Sequence, residues 1–551
     1  MDHNWYVFLK NNRVVIAFYS VITSFAIVIG GAVYADNSVN QLFASPVSVL
    51  FTVGKLVGVG LISGLFYAGS AVVLCRYRDR QDEARKQGIA DFSFRQYVLL
   101  RWAFGILIFA LDLVVLLAYF PGIFSYDMII QTDEALGFLP MDRFQPPFHT
   151  FLWKLCLGWG GLFGSSLEQT IEKGITIYGV LQGMLYAYVL SGLCMLVIQM
   201  HLKKWIKIIL LLFLICNPVV LIFAIIPAKD AMFACFFAQM TKHLLMLGHN
   251  EAGEQKLHVM IWLVAEIILC CLLRNNAVYV MILLILFTVV RYGFQKKERL
   301  AAFGVAVLLF LCINGPIYTA MGIGKGDLRE ALSLPLQQIT HVYVSENQNM
   351  PEDLVKGINR FLPVDRLNSV FNPRFADYVK ELADEDAIKD HFGDFLKLYG
   401  SLLVRYPDNY LNEMLALHVS GWYPFAHGMD VFSNRQYIET FISDYPKAQP
   451  VRESKIPGVY AMLEKVSDYS AFEHVPVVRV LFSTQIPIWG ILLGIFFLRV
   501  TGRSEKIVAF VPAILLWMTY LAGPVTCMRY VFPLAMIQPL VWAVVLETDR
   551  R

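Results

Sequence analysis

The feature that most constrains this chain is the length of its uninterrupted apolar runs. Residues 14–34, 47–74 and 205–226 carry almost no charge. An α-helix needs about 20 consecutive apolar residues to cross the hydrocarbon core of a bilayer. Backbone amides in lipid find no water, so such runs must satisfy their hydrogen bonds internally, as helices. Composition agrees: 57% of the 551 residues are hydrophobic and only 16% charged, against about 25% in a soluble protein. The expected fold class is an all-α polytopic membrane protein, with the lipid bilayer as its main solvent. A net charge of +3 is too small to imply a nucleic-acid partner.

The charges are sorted by side. Lys and Arg gather in loops that stay in the cytoplasm, so the loops can be assigned in order. Lys10 and Arg13 place the start inside, whereas 36–46 has neither residue type and falls outside. Arg76, Arg78, Arg80, Arg85, Lys86, Arg95 and Arg101 mark the next loop as inside. Later inner loops carry Lys203, Lys204 and Lys207; Arg291, Lys296, Lys297 and Arg299; Arg499, Arg503 and Lys506; and Arg550 with Arg551. Alternation works with about twelve spans, near 14–34, 47–75, 99–120, 174–200, 205–226, 229–247, 258–273, 277–292, 300–319, 475–499, 506–522 and 529–546. Both termini are expected in the cytoplasm. The apolar segment 146–164 would break this parity by crossing, so it is expected to lie on, or re-enter, the outer face. Val33-Tyr34-Ala35 is a passable cleavage site, but the length of the first run favours a retained anchor.

Four regions follow. Residues 1–98 hold two spans and a basic loop, and 99–319 a transmembrane core with an outer loop at 121–173. Residues 320–474 form a small, mainly helical outer cap with 15 Lys and Arg against 22 Asp and Glu. Residues 475–551 hold three more spans. Helix cues in the cap are Pro351-Glu352-Asp353 at a helix start and a periodic stretch over 394–406 ended by Pro407. The nine cysteines include no CxxC pair, and read as buried, inert thiols.

Chemistry-bearing residues gather at the outer helix ends. After the third span, Pro121-Gly122 breaks the helix. Asp127 follows, with Gln131 one turn later on the same helical face. A carboxylate where membrane meets water is partly desolvated, which raises its pKa toward that of a useful base; alternatively Asp127 caps the helix that follows. Three more outer ends each present a cation: Pro227-Ala228-Lys229-Asp230, Arg274-Asn275-Asn276 and Cys527-Met528-Arg529-Tyr530. A cation beside the bilayer core costs a few kcal/mol, about 3 on insertion scales, unless paired or hydrated. Several on one face suggest an anion site, and phosphate suits Arg and Lys; singly, each reads as a snorkelling side chain or ion pair. Asp112 and Glu266 lie inside apolar runs. They read as a buried pair or hydrogen-bonded helix glue, or else as proton carriers.

This order of motifs resembles the GT-C superfamily of membrane glycosyltransferases, and within it a bacterial membrane family, domain of unknown function 6020. The residues that carry the resemblance are Pro121-Gly122 through Ser125-Tyr126-Asp127 with Gln131, Pro146-Pro147 with His149-Thr150, Leu334-Pro335-Leu336-Gln337-Gln338, Gly421-Trp422-Tyr423-Pro424 and Arg529-Tyr530. It covers about 99–546. It implies a GT-C-like core and a polyprenyl-phosphate-linked sugar as donor, with an unassigned acceptor, in a bacterial cell membrane. Asp127 would be the catalytic base, and Lys229, Arg274 and Arg529 would hold the leaving phosphate. Gln131, His149 and Asp230 would orient sugar or acceptor, with Asn276 and Tyr530 as further substrate contacts. Two departures stand out. Asp127 and Asp133 are six residues apart, so no Asp-x-Asp pair supports a bound divalent metal, and no other cofactor is assigned. Gln145, not histidine, precedes the Pro-Pro.

The competing reading is a secondary transporter or lipid flippase, for which an even number of spans and two intramembrane acids are suitable. Such proteins place their site near the midplane between related halves. Here no half resembles the other, and the polar residues favour one face. A non-catalytic membrane scaffold is the third possibility.

Overall fold

A computed structural model describes residues 5–84, 93–248, 256–426, 442, 445–468, 475 and 483–548. The expected inner-loop residues Arg85, Lys86, Arg550 and Arg551 lie outside these, as does part of the expected tenth span at 475–499. Among the described residues there is no sheet, only the isolated bridges Phe124–Ile442 and Asn372–Phe375. The helices that position the site are α1 (Trp5–Asp36), α2 (Pro46–Ala84), α3 (Phe94–Ala118), α4 (Tyr126–Leu136), α5 (Pro147–Gly161), α6 (Leu167–Gln199), α7 (Lys204–Cys216), α8 (Pro218–Phe223), α9 (Lys229–Gly248), α10 (Lys256–Leu273), α11 (Ala277–Tyr292) and α12 (Lys297–Cys312). After the cap come α13 (Ile486–Val500), α14 (Val511–Tyr520), α15 (Met528–Met536) and α16 (Gln538–Leu546).

Among the described residues eight helices are long and apolar enough to cross a membrane, and the chain is a membrane protein. The other four expected spans coincide with helices that fall short of that standard. α9 carries Lys229, Asp230 and Lys242; α11, α13 and α14 have 16, 15 and 10 residues. Along α2, Leu50, Phe51, Leu61, Ile62, Leu65 and Phe66 are all exposed. In water that surface would drive association; in lipid it is matched to its solvent.

Helices in lipid have little hydrophobic drive to associate, so they approach closely through small residues. Ser20 and Ser24 of α1 face Gly64 and Gly60 of α2. On α6, a Cβ at Gly179 would collide with Leu116 of α3, and one at Gly183 would touch Asp112. α3 therefore lies tightly along α6, and its last turn reaches the level of Gly179.

That register decides how the segment 146–164 sits. α6 has 33 residues, roughly 50 Å of helix, and overshoots the end of α3. α5 runs antiparallel along the overshoot: His149 meets Tyr178, Trp153 and Leu157 meet Gly174, and Gly160 abuts Thr170. α5 thus occupies the level beyond the end of α3. Its buried stripe is His149, Thr150, Trp153, Cys156, Leu157 and Gly160, while Leu155, Trp159, Leu162 and Phe163 are exposed.

The cap has its own core, including Leu336, Ile339, Phe361, Phe395, Leu402 and Tyr410. Its helices include Glu352–Asn359 after Pro351 and Phe392–Arg405 ahead of Pro407, as the cues predict. Pro407 then opens another helix, Pro407–Ala416, because proline suits a first helical turn.

The α5–α6 seam yields a test. An added Cβ at Gly160 would lie 2.5 Å from the Thr170 carbonyl oxygen, whereas one at Gly158 meets nothing. Gly160→Ala is expected to lower thermal stability in detergent by about 1–3 kcal/mol. Gly158→Ala, on the same helix, should be neutral or stabilising by about 0.5–1 kcal/mol. Equal effects would show that the seam is not close-packed.

Candidate functional site

Between α3 and α4 the chain must turn sharply. Gly122 has φ of 142°, a region open to glycine, and any Cβ there would strike Ile175 at 2.4 Å. The turn delivers Ser125 as the residue before α4 and Asp127 into its first turn. Asp127 is no cap. Its carboxylate points across to two other helix starts, with Oδ2 3.1 Å from Lys229 Nζ and 3.3 Å from Arg529 Nη1. Lys229 also donates to Gln145 Oε1 at 2.6 Å. All three charged side chains keep a fringe of exposure, 15–22%.

These contacts correct one expectation. Burial alone would favour the neutral acid, but Lys229 and Arg529 outweigh it and hold the Asp127 carboxyl well below the usual range. It is an ionised, already occupied carboxylate, and not one with a raised pKa.

A second ion pair stands beside the first. Asp230 is completely buried, and its Oδ1 lies 2.9 Å from Arg274 Nη1. The Arg274 guanidinium is boxed by Phe233, Tyr520 and Tyr530, at 5.7, 5.0 and 4.8 Å to the ring centroids. Removing one partner would strand a buried charge, at about 3–5 kcal/mol. Asp230 therefore positions Arg274 and does not line the cavity. Asn276 donates to Thr519 Oγ1 at 2.8 Å, and Tyr530 stacks over Arg274. Lys229, Arg274 and Asn276 line a cleft of about 470 Å³ with Arg143, Asn275 and Asn314. Asp127, Lys229, Arg274 and Arg529 thus gather from an α3 exit, an α9 start, an α10 end and an α15 start. Those four helix ends lie on one face.

Gln131 and His149 are almost fully buried and sit behind this cluster. Gln131 Oε1 meets His149 Nδ1 at 3.0 Å, and His149 Nε2 meets the Tyr178 hydroxyl at 2.7 Å. Gln131 Nε2 donates to Thr150 Oγ1, which donates to Glu134 Oε2 at 3.2 Å. Burial and the nearby Lys229 push His149 down to about 3, so its ring is neutral. Sequence reasoning missed Glu134, although it shares the α4 stripe with Asp127 and Gln131, seven and three residues before it. Burial raises its carboxyl to about 7. Thr150 and Gln145 entered only through the family resemblance, and Tyr178 and Tyr520 carried no signal of their own.

Asp133 is engaged elsewhere, accepting from Tyr445 and Lys447 at 2.6 Å each. Glu266 pairs with His243 at 2.8 Å and not with Asp112, whose Oδ2 is buried without a partner. No group of three His, Cys, Asp or Glu among the described residues is placed to hold a metal ion.

Two measurements follow. Asp127→Asn frees Lys229 and Arg529 from their shared carboxylate, so calorimetric affinity for inorganic pyrophosphate in detergent should rise about tenfold, or roughly 1.4 kcal/mol; unchanged affinity would mean that the carboxylate does not compete with anions. For Glu134 the folded carboxyl holds its proton up to about 7 against an ordinary 4.5. Its contribution is complete below 4.5 and is lost as pH rises to about 7. Glu134→Gln should therefore gain stability relative to the parent between pH 5 and pH 8, and a flat difference in melting temperature would refute the assignment.

Residues 148–551 match the profile of a family of unknown function, DUF6020, and the chain belongs to that family. Lys229, Arg274 and Arg529 fall within the matched residues, and Asp127 ahead of them. No curated protein and no solved structure matches the chain.

Proposed function

We propose that this family member is a membrane glycosyltransferase, moving a sugar from a polyprenyl-phosphate-linked donor to an acceptor on the extracytoplasmic face. This reading takes the fold as a GT-C-like core of about twelve spans in a bacterial cell membrane, with both termini cytoplasmic. The observation that carries it is the Asp127–Lys229–Arg529 cluster, bordered by two different surfaces. Lys229 lines the polar cleft described above. Met528, next to Arg529, lines an apolar groove of about 600 Å³ between α7, α13, α15 and α16, which extends from Trp205 and Trp542 to Asn217. An isoprenoid tail suits the groove, a phosphate the cations, and a sugar the asparagine-lined cleft.

In this mechanism the acceptor hydroxyl oxygen attacks the anomeric carbon. The bond from that carbon to the phosphate oxygen breaks, and its electron pair leaves on the polyprenyl phosphate. The hydroxyl proton passes to Asp127, and the anomeric centre inverts. Lys229 and Arg529 stabilise the charge developing on the phosphate. Their present hold on Asp127 weakens its basicity. Drawing them toward the arriving phosphate restores it, so the base is strengthened as the donor binds.

One observation favours transport as a second reading: the buried, unpartnered oxygen of Asp112 within α3, the kind of group that carries protons. A vesicle assay separates the two. With a labelled polyprenyl-phosphate sugar, transfer predicts loss of label from the lipid without accumulation of free solute. Asp127→Asn should slow that loss roughly 10²–10⁴-fold, and Arg529→Lys should also slow it because lysine lacks the planar fork. Undiminished transfer by Asp127→Asn would remove the base, and solute uptake without transfer would favour a transporter.

A further inference from the structure

The membrane face opposite the candidate site holds two cations that no carboxylate bridges. Arg101 lies near the start of α3, at the far end from Asp127. Lys242 lies near the end of α9, 13 residues from Lys229, or roughly 20 Å along the helix. Both converge on Gly192 of α6. An ideal Cβ there would stand 3.4 Å from Lys242 Nζ, 3.9 Å from Arg101 Nη2 and 3.9 Å from Gln239 Oε1. Two cations and an amide oxygen therefore gather over the same glycine.

The surroundings do not neutralise them. The Arg101 guanidinium stacks on Tyr188 at 4.8 Å, and neither it nor Lys242 forms an ion pair among the described residues. The acid acting on Lys242 is Glu266, which is already bonded to His243 at 2.8 Å. Among the described residues, buried Gln239 Oε1 has no hydrogen-bond partner. Two like charges in helices surrounded by apolar side chains are unfavourable unless an anion joins them. The cluster borders the outer surface of the bundle, since Tyr188, on which Arg101 stacks, is 51% exposed.

We propose that Arg101 and Lys242, with Gln239 beside them, form a binding site for the headgroup of an anionic phospholipid, the two cations taking its phosphate, in the leaflet opposite the candidate active site. Arg101 supplies a planar donor fork and Lys242 a point charge. Gln239 Oε1, an acceptor, takes a hydrogen bond from a headgroup hydroxyl such as that of a glycerol. Basic pockets between transmembrane helices recognise lipid phosphates in this way. The site is independent of the proposed transferase chemistry.

The test uses the purified, delipidated full chain in neutral detergent. Phosphatidylglycerol should raise its melting temperature by several degrees and phosphatidylcholine should not. The double variant Arg101→Gln, Lys242→Gln should lose most of that rise. An equal rise with inorganic phosphate alone would overturn the lipid assignment. Equal responses to the two lipids, or an unchanged response in the double variant, would overturn the site. Should the double variant not fold, Arg101→Lys keeps the charge without the fork. It should retain phosphatidylglycerol about tenfold less well by native mass spectrometry, and wild-type retention would refute the proposal.

Discussion

The geometry of the candidate site depends on one shared contact: a single carboxylate oxygen, Asp127 Oδ2, holds two cations from helices far apart in sequence. Charges at the edge of a bilayer are costly when alone, so each helix end is fixed by the company it keeps. Lys229 opens α9, Arg529 opens α15, and the turn at Gly122 aims α4 at both. Beside them Arg274 is held by Asp230 and three aromatic rings. The cluster is therefore a point where the bundle is fastened.

Behind that point, the backbone makes the fit possible. Gly179 and Gly183 let α3 lie against α6, and Gly160 and Gly174 let α5 lie against the overhanging part of the same helix. α6 thus serves as a common rail. It sets the height of Asp127 through α3, and the height of His149 and Thr150 through α5. The neutral His149, bonded to both Gln131 and Tyr178, ties α4 to that rail.

Much of this was legible in sequence. Apolar run length located the long helices, and charge sorting implied that the cationic helix ends share a face, as their convergence requires. What sequence could not show was which charge finds which. Asp127 looked like a cap or a desolvated base, because its two partners lie 102 and 402 residues away. Asp112 and Glu266 looked like a pair because both are acids in apolar runs, but only contact geometry could show that His243 had claimed Glu266. Glu134 passed unnoticed because its raised pKa comes from burial by α5, which local spacing does not encode. Several motifs behind the family resemblance prove to be joints. Gln338 binds Tyr399 and the Tyr410 carbonyl, and Trp517 and Trp489 donate to the carbonyls of Gly421 and Trp422.

The cap's grip on the loop ahead of α15 has a mechanical consequence. His418, neutral because burial pushes it down to about 4, bonds Gly523 and Thr526. Gly421 packs against Thr526, and the Ala376 amide donates to the Pro524 carbonyl at 2.9 Å. Only a few residues separate these anchors from Arg529. The cap and the guanidinium are thus geared together, so that tilting the cap would withdraw or advance a positive charge beside Asp127.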